Sequence, residues 1–147
     1  MSPLYSNAIS AYRKASTAVP PLSAIVLLFD EALNAMVLAS EHVRSREYEQ
    51  AHLRTQRAIA ILRGLRQNLD LNNGGAVAQQ LCETYTSNIA ALNATIGKPD
   101  AIERYKKLAT GLLQLRNAWS GMTTLSERSL APLLSSIDGL RDQNNAV

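Results

Sequence analysis

Few side chains in this sequence are suited to catalysis or to metal binding. The 147 residues include one cysteine, Cys82, and two histidines, His42 and His52. A lone cysteine excludes an internal disulfide and is typical of a reducing compartment. Neither histidine has a carboxylate or a cysteine four positions later, since Arg46 and Gln56 stand there. We therefore expect no metal, no cofactor and no enzymatic activity.

A long hydrophobic run is also missing. The longest one, residues 24–29, is far shorter than the ~18 residues that a membrane span needs. Residues 1–4 carry neither the charged nor the apolar region of a signal peptide. These features predict a cytoplasmic location without membrane insertion.

The charge balance gives no sign of nucleic-acid binding. The formal net charge is only +3. On a helix that turns about 100° per residue, the arginines of the second apolar stripe point in all directions; they are Arg54, Arg57, Arg63 and Arg66. A phosphate-binding surface would place them in one strip, so nucleic acid is not an expected partner.

Four amphipathic stripes dominate the sequence. Apolar residues recur at alternating steps of three and four, which is the spacing of one buried helix face. The predicted helices cover residues 21–44, 47–69, 76–96 and 102–122, with short connections between them. These lengths predict an all-α, antiparallel up-down-up-down four-helix bundle over residues 22–122, preceded by a segment 1–21 and followed by a tail 123–147.

Both flanking segments carry further helical signals. Tyr5, Ile9 and Tyr12 are spaced i, i+4, i+7, so a short helix would place them on one side and could act as a lid over the bundle. In the tail, residues 126–140 predict a short fifth helix that is interrupted near Pro132 and Gly139.

The stripes contain more apolar residues than a bundle core requires. A core-facing helix needs about three apolar positions per heptad. The extra positions predict a second surface, which is a partner groove, a dimer face or the seat of the lid. With the three residues of the N-terminal segment, the predicted partner-binding residues are Tyr5, Ile9, Tyr12, Leu27, Leu28, Leu38, Leu53, Ile59 and Ile61.

Two other features have ordinary structural explanations. Asp30 and Glu31 are adjacent, so their side chains diverge by ~100° and are expected to contact neighbouring helices or solvent separately. His52 lies on a bundle helix, as in histidine phosphotransfer domains, but Thr55 and Gln56 stand where those domains have lysine and glycine. A phosphotransfer module using His52 is the alternative function, and a dimerising helical adaptor is a third.

The order of several sequence blocks resembles the FliS family of flagellar secretion chaperones. The resemblance covers roughly residues 5–122. The blocks are Ala11-Tyr12, Lys14-Ala15-Ser16, the run from Ile25 to Leu33, the run from Gln56 to Leu62, Leu65 to Asp70, Leu81 with Tyr85, and the run from Leu115 to Trp119. Glu31 departs from the pattern because the family usually has glycine after the aspartate.

The resemblance implies a cytoplasmic, non-enzymatic helical bundle that binds the disordered C-terminal segment of flagellin. Such a chaperone prevents premature filament assembly and assists delivery to the type III export gate. The expected partners are therefore flagellin and an export-gate component, with a weak homodimer as a further expectation. Recognition of this kind lays a partner's apolar helix face into a groove and orders the partner on binding.

Overall fold

Five α-helices make up most of the described structure. The computed structural model describes residues 21–140, and this part of the chain contains no β-strand. The helices are α1 Leu22–Arg44, α2 Tyr48–Gln67, α3 Gly75–Asn93, α4 Ala101–Ser120 and α5 Leu130–Asp138. The predicted all-α bundle is thus confirmed, and the short N-terminal helical segment lies outside the described residues.

The helix ends follow local signals in the sequence. Pro21 precedes α1, and its carbonyl accepts hydrogen bonds from the amides of Ala24 and Ile25. Between α2 and α3, the Asp70 carboxylate accepts bonds from the backbone amides of Asn72 and Asn73, which builds the turn.

The fifth helix differs from its prediction at two points. It begins at Leu130, four residues later than the predicted start at residue 126. Pro132 does not interrupt α5, because it lies in the first turn, where no backbone N–H is required. The helix ends at Gly139, which has φ +80° and begins a Schellman motif. In this motif the amides of Gly139 and Leu140 donate to the carbonyls of Ser136 and Ser135.

The first four helices alternate in direction. A short turn, residues 45–47, joins α1 to α2 and makes them antiparallel. Gln56 and Arg66 of α2 bond to Asn93 and Thr86 of α3 in reverse order, so these two helices are antiparallel as well. Helix α1 packs against α2 and α4, α2 packs against α3, and α3 touches α4 only slightly.

Bulky aromatic side chains fill the centre of the bundle. The rings of Phe29 on α1 and Tyr85 on α3 lie 6.3 Å apart and are tilted by 38°. Tyr105 on α4 is fully buried, and its hydroxyl lies 2.7 Å from that of Thr55 on α2. Because Thr55 donates to the carbonyl of Ala51, the Tyr105 hydroxyl is the donor in this pair. These contacts link opposite helices across the core.

Helix α1 is the most apolar element of the bundle. It is the one helix in the described part of the chain that is long and apolar enough to cross a membrane by length and composition. Its buried row includes Ile25, Phe29, Leu33 and Met36, which pack inside the bundle. Its central position between α2 and α4 accounts for this composition.

Candidate functional site: the α1–α2 groove

A groove runs along the outer side of the α1–α2 hairpin. Its volume is about 470 Å³. Helix α1 contributes one wall and α2 contributes the other, and the lining residues are Glu31, Asn34, Ala35, Leu38, Gln50, Leu53, Arg54 and Arg57. This set is called the α1–α2 groove below.

Exposed leucines follow the groove on both helices. Leu27 and Leu53 are each 56% exposed and Leu38 is 36% exposed. On a helical wheel Leu27 and Leu38 differ by only about 20°, so they form one row on α1. Leu53 stands on the facing wall. The result is a mixed surface, in which exposed leucines stand among polar side chains and which the described part of the chain leaves open to solvent.

Polar and charged side chains make up most of the groove lining; they are Glu31, Asn34, Gln50, Arg54 and Arg57. Arg57 of α2 binds the carboxylate of Glu31 on α1, with its Nε 3.1 Å from Oε1, and this pair bridges the two walls. Glu31 is the residue that differs from the glycine of the FliS pattern, and its side chain forms this bridge. Arg54 lines the same groove, and its side chain has no hydrogen-bond or ion-pair partner among residues 21–140.

The structure separates the predicted partner-binding residues into four groups, of which Ile59 and Ile61 form the buried one. Leu38 and Leu53 are exposed in the groove, and Leu27 is exposed on α1 beyond the lining residues. Leu28 is half-buried and packs against the core. The three residues of the N-terminal segment, Tyr5, Ile9 and Tyr12, lie outside the described residues.

Ile59 and Ile61 belong to the core, so the prediction that they form an exposed surface is wrong. Ile59 is fully buried and Ile61 is 6% exposed. Helix α2 lies between two neighbours, and each of its flanks is covered. By helical phase, Ile61 lies on the flank of Arg57, next to α1, and Ile59 on the flank of Arg66, next to α3.

A network around Asp30 joins α1 to α4 and to the α4–α5 loop. Arg116 of α4 donates two hydrogen bonds to the two carboxylate oxygens of Asp30, each 3.0 Å long. Arg128 of the loop donates a third bond of 3.0 Å. Arg116 also donates to the carbonyl of Ser126 at 2.7 Å, and Asn117 bonds both the amide and the carbonyl of Arg128.

The network sets the ionisation of Asp30. Partial burial alone would raise the pKa of the Asp30 carboxyl, but the hydrogen bonds and charges of Arg116 and Arg128 outweigh this effect and lower that pKa below its ordinary value. Asp30 and Glu31 thus contact different helices, as their divergence on α1 predicts. Sequence reasoning did not find Arg116 or Arg128, because they lie more than eighty positions further along the chain.

The two histidines occupy unremarkable places. His42 lies 3.2 Å from the carboxylate of Glu47 at the α1–α2 turn, and His52 is exposed on α2. Within residues 21–140 no group of three histidine, cysteine or acidic side chains is placed to hold a metal ion.

The fold places the chain among antiparallel helical bundles with an open groove between two adjacent helices. The comparison with known families is more specific. The model of the FliS family, described as flagellar protein FliS, matches residues 5–126, and the chain belongs to this family of flagellar chaperones. A search of curated protein sequences found no match.

Proposed function

We propose that this protein is a cytoplasmic export chaperone that binds the disordered C-terminal segment of flagellin. The bound segment would be kept from premature polymerisation and delivered to the flagellar type III export apparatus. Membership of a flagellar chaperone family supports this role. The observation that carries it is the open α1–α2 groove, in which Leu38 and Leu53 stand exposed on facing walls.

The groove suits a partner that becomes helical on binding. A helix with aliphatic residues at i, i+3 or i+4 would bury them against Leu38 and Leu53. Its own polar face would remain in water, and an acidic residue beside the apolar stripe would meet Arg54. Ordering such a segment costs about 2–5 kcal/mol of the gross interaction. This cost weakens the complex and keeps it reversible, which suits a cargo that must be released for export.

Leu53→Asp is expected to weaken flagellin binding at least tenfold, which is about 1.4 kcal/mol. The carboxylate would be desolvated under the partner helix, while in the free protein it remains in water. Titration calorimetry with the last ~40 residues of the host's flagellin measures the change. Leu71→Asp is the matched control, because Leu71 is 53% exposed and lies outside the groove. Equal affinity of the two variants would contradict the proposal.

The N-terminal segment is proposed to act as the lid that covers the groove when cargo is absent. Tyr5, Ile9 and Tyr12 would present their shared face to the leucines of the groove. Deleting residues 1–15 is expected to raise the affinity for the flagellin segment, because no lid has to be displaced. Calorimetry on the full chain and the deletion variant measures the difference. Unchanged affinity would remove the segment from the mechanism.

Two further partners are proposed: an export-gate component and a second copy of this chain. An export-gate component would meet the loaded chaperone, and a weak homodimer would form through the exposed leucines in the absence of cargo. Size-exclusion chromatography of the chain alone and with flagellin separates a dimerising adaptor from a chaperone. A chain whose dimer persists unchanged with flagellin present would favour the adaptor.

A further inference from the structure

Helix α5 lies on a shelf that is formed by α1 and α4. Four residues mark the shelf because they hold the two ends of α5: Asp30 and Arg44 on α1, and Lys106 and Asn117 on α4. The shelf lies on the α4 side of α1 and adjoins the α1–α2 groove at Asn34, which accepts a hydrogen bond of 2.8 Å from Arg128. Helix α5 runs parallel to α1. Arg128, which precedes α5, bonds to Asp30, and Ile137, near the end of α5, bonds to Arg44 at the end of α1.

Only two side chains anchor α5 by burial. Leu133 is 2% exposed and Ile137 is fully buried. Their i, i+4 spacing places both on the same side of α5, so its buried face consists of these two residues. The helix has nine residues, and isolated helices shorter than about 12 residues are marginal in water. It therefore depends on the shelf and on its polar end contacts for its order. The match to the family ends at residue 126, before α5 begins.

The far end of the shelf is built for the negative end of a helix. The guanidinium of Arg44 donates to the carbonyl of Ile137 in the last turn of α5. Lys106 lies 3.1 Å from a carboxylate oxygen of Asp138, the last residue of the helix, and 2.9 Å from that of Glu103 on its own helix. Two cations at a helix C-terminus complement its dipole and its orphan carbonyls. Gly139 allows this approach, since a Cβ there would lie 2.6 Å from Cζ of Arg44.

We propose that the shelf is a second helix-binding site, which α5 occupies in the free protein and vacates for a partner. The partner is an amphipathic helix of another protein, with aliphatic residues at i and i+4 and a carboxylate one position after the second. That is the pattern of Leu133, Ile137 and Asp138, so α5 itself shows what the shelf accepts. The partner helix would run in the direction of α5, with its C-terminus at Arg44 and Lys106.

The test uses a labelled, acetylated and amidated peptide of residues 128–140 as the probe. In the full chain, Leu133→Asp with Ile137→Asp releases α5 while every residue of the shelf is kept. Fluorescence anisotropy is expected to show at least tenfold tighter peptide binding to this variant than to the wild type, in which α5 competes. Leu140→Asp is the matched control, because Leu140 is 64% exposed and its substitution should leave α5 in place.

Two altered peptides check the chemistry of the partner. A peptide with the same two aspartates is expected not to bind. A peptide with Asp138→Asn is expected to bind about threefold more weakly, because Lys106 loses one of its two carboxylate partners and keeps Glu103. Unchanged affinity would overturn the acidic position of the partner. Failure of the unmodified peptide to bind a folded double variant, or equal binding to variant and wild type, would overturn the proposal as a whole.

Hydrogen exchange of the wild-type protein gives a second readout, which does not require the double variant to fold. The amides of residues 134–138 are expected to exchange at least tenfold faster than those in the middle of α1, because α5 leaves the shelf without unfolding of the bundle. Equal protection of the two helices would overturn the proposal. Neither experiment contains flagellin, so both outcomes are independent of the function proposed for the α1–α2 groove.

Discussion

Ile59→Asp is expected to unfold the protein at room temperature or to leave it only marginally stable. Ile59 is fully buried on the flank of α2 that faces α3. The substitution removes buried aliphatic volume, at about 2–5 kcal/mol, and places a carboxylate where water cannot reach it. The sum is comparable with the whole stability of a small domain, about 5–15 kcal/mol. Far-UV circular dichroism during urea denaturation measures the loss.

Leu53→Asp is the control on the same helix. Leu53 is 56% exposed, and surface substitutions usually change stability by no more than about 0.5 kcal/mol. This variant should therefore unfold close to the wild-type midpoint. A folded Ile59→Asp protein that had lost only partner binding would contradict the core position of Ile59 and would return it to the binding surface.

Asp30→Ala is expected to lower the free energy of unfolding by about 3 kcal/mol, because it leaves a buried cation without its partner. The side chain of Arg116 is 8% exposed and makes two of its hydrogen bonds to Asp30. Arg128 would lose its carboxylate contact as well, although its side chain is 30% exposed and can turn toward water. Urea denaturation at pH 7 measures the difference between variant and wild type.

The difference in unfolding free energy between the wild type and Asp30→Ala is also expected to depend on pH. The pKa of Asp30 in the folded state lies below its ordinary value of 3.8. The carboxylate therefore stabilises the fold in full above that ordinary value, and the contribution is lost as the pH falls through the folded-state pKa. The difference between wild type and Asp30→Ala should stay constant from pH 6 to 8 and shrink below about pH 4. A difference that grows in acid would show that Asp30 is not held by Arg116 and Arg128.

The bundle could be predicted from the sequence because its helices carry regular stripes and clear stops. Proline before α1 and the Asn-Asn-Gly-Gly run before α3 set boundaries that agree with the structure to within a few residues. The predicted third helix ran on to residue 96, whereas α3 ends at Asn93. Ile96 lies in the turn that follows α3 but still fits the apolar spacing of the helix. Apolar periodicity alone therefore does not show where the helix ends.

The groove was only partly predictable, and the reason is geometric. Helical phase shows which residues point away from the main stripe, and Leu27, Leu38 and Leu53 are exposed for that reason. It does not show how many neighbours a helix has. Helix α2 is covered on both flanks, so its buried stripe is wider than the three positions per heptad of a simple bundle helix. The prediction that Ile59 and Ile61 are exposed is wrong for this reason.

The walls of the α1–α2 groove are both supplied by one short stretch of chain, from Glu31 to Arg57. Pairing between them is local in sequence, which favours early formation during folding. The α1–α2 hairpin also sets the distance between its walls through its own turn and through the Glu31–Arg57 bridge. Changes in length within the connections at 68–74 or 94–100 would therefore leave the width of the groove almost untouched. Sequence changes on the far side of the bundle would likewise leave both walls of the groove in place.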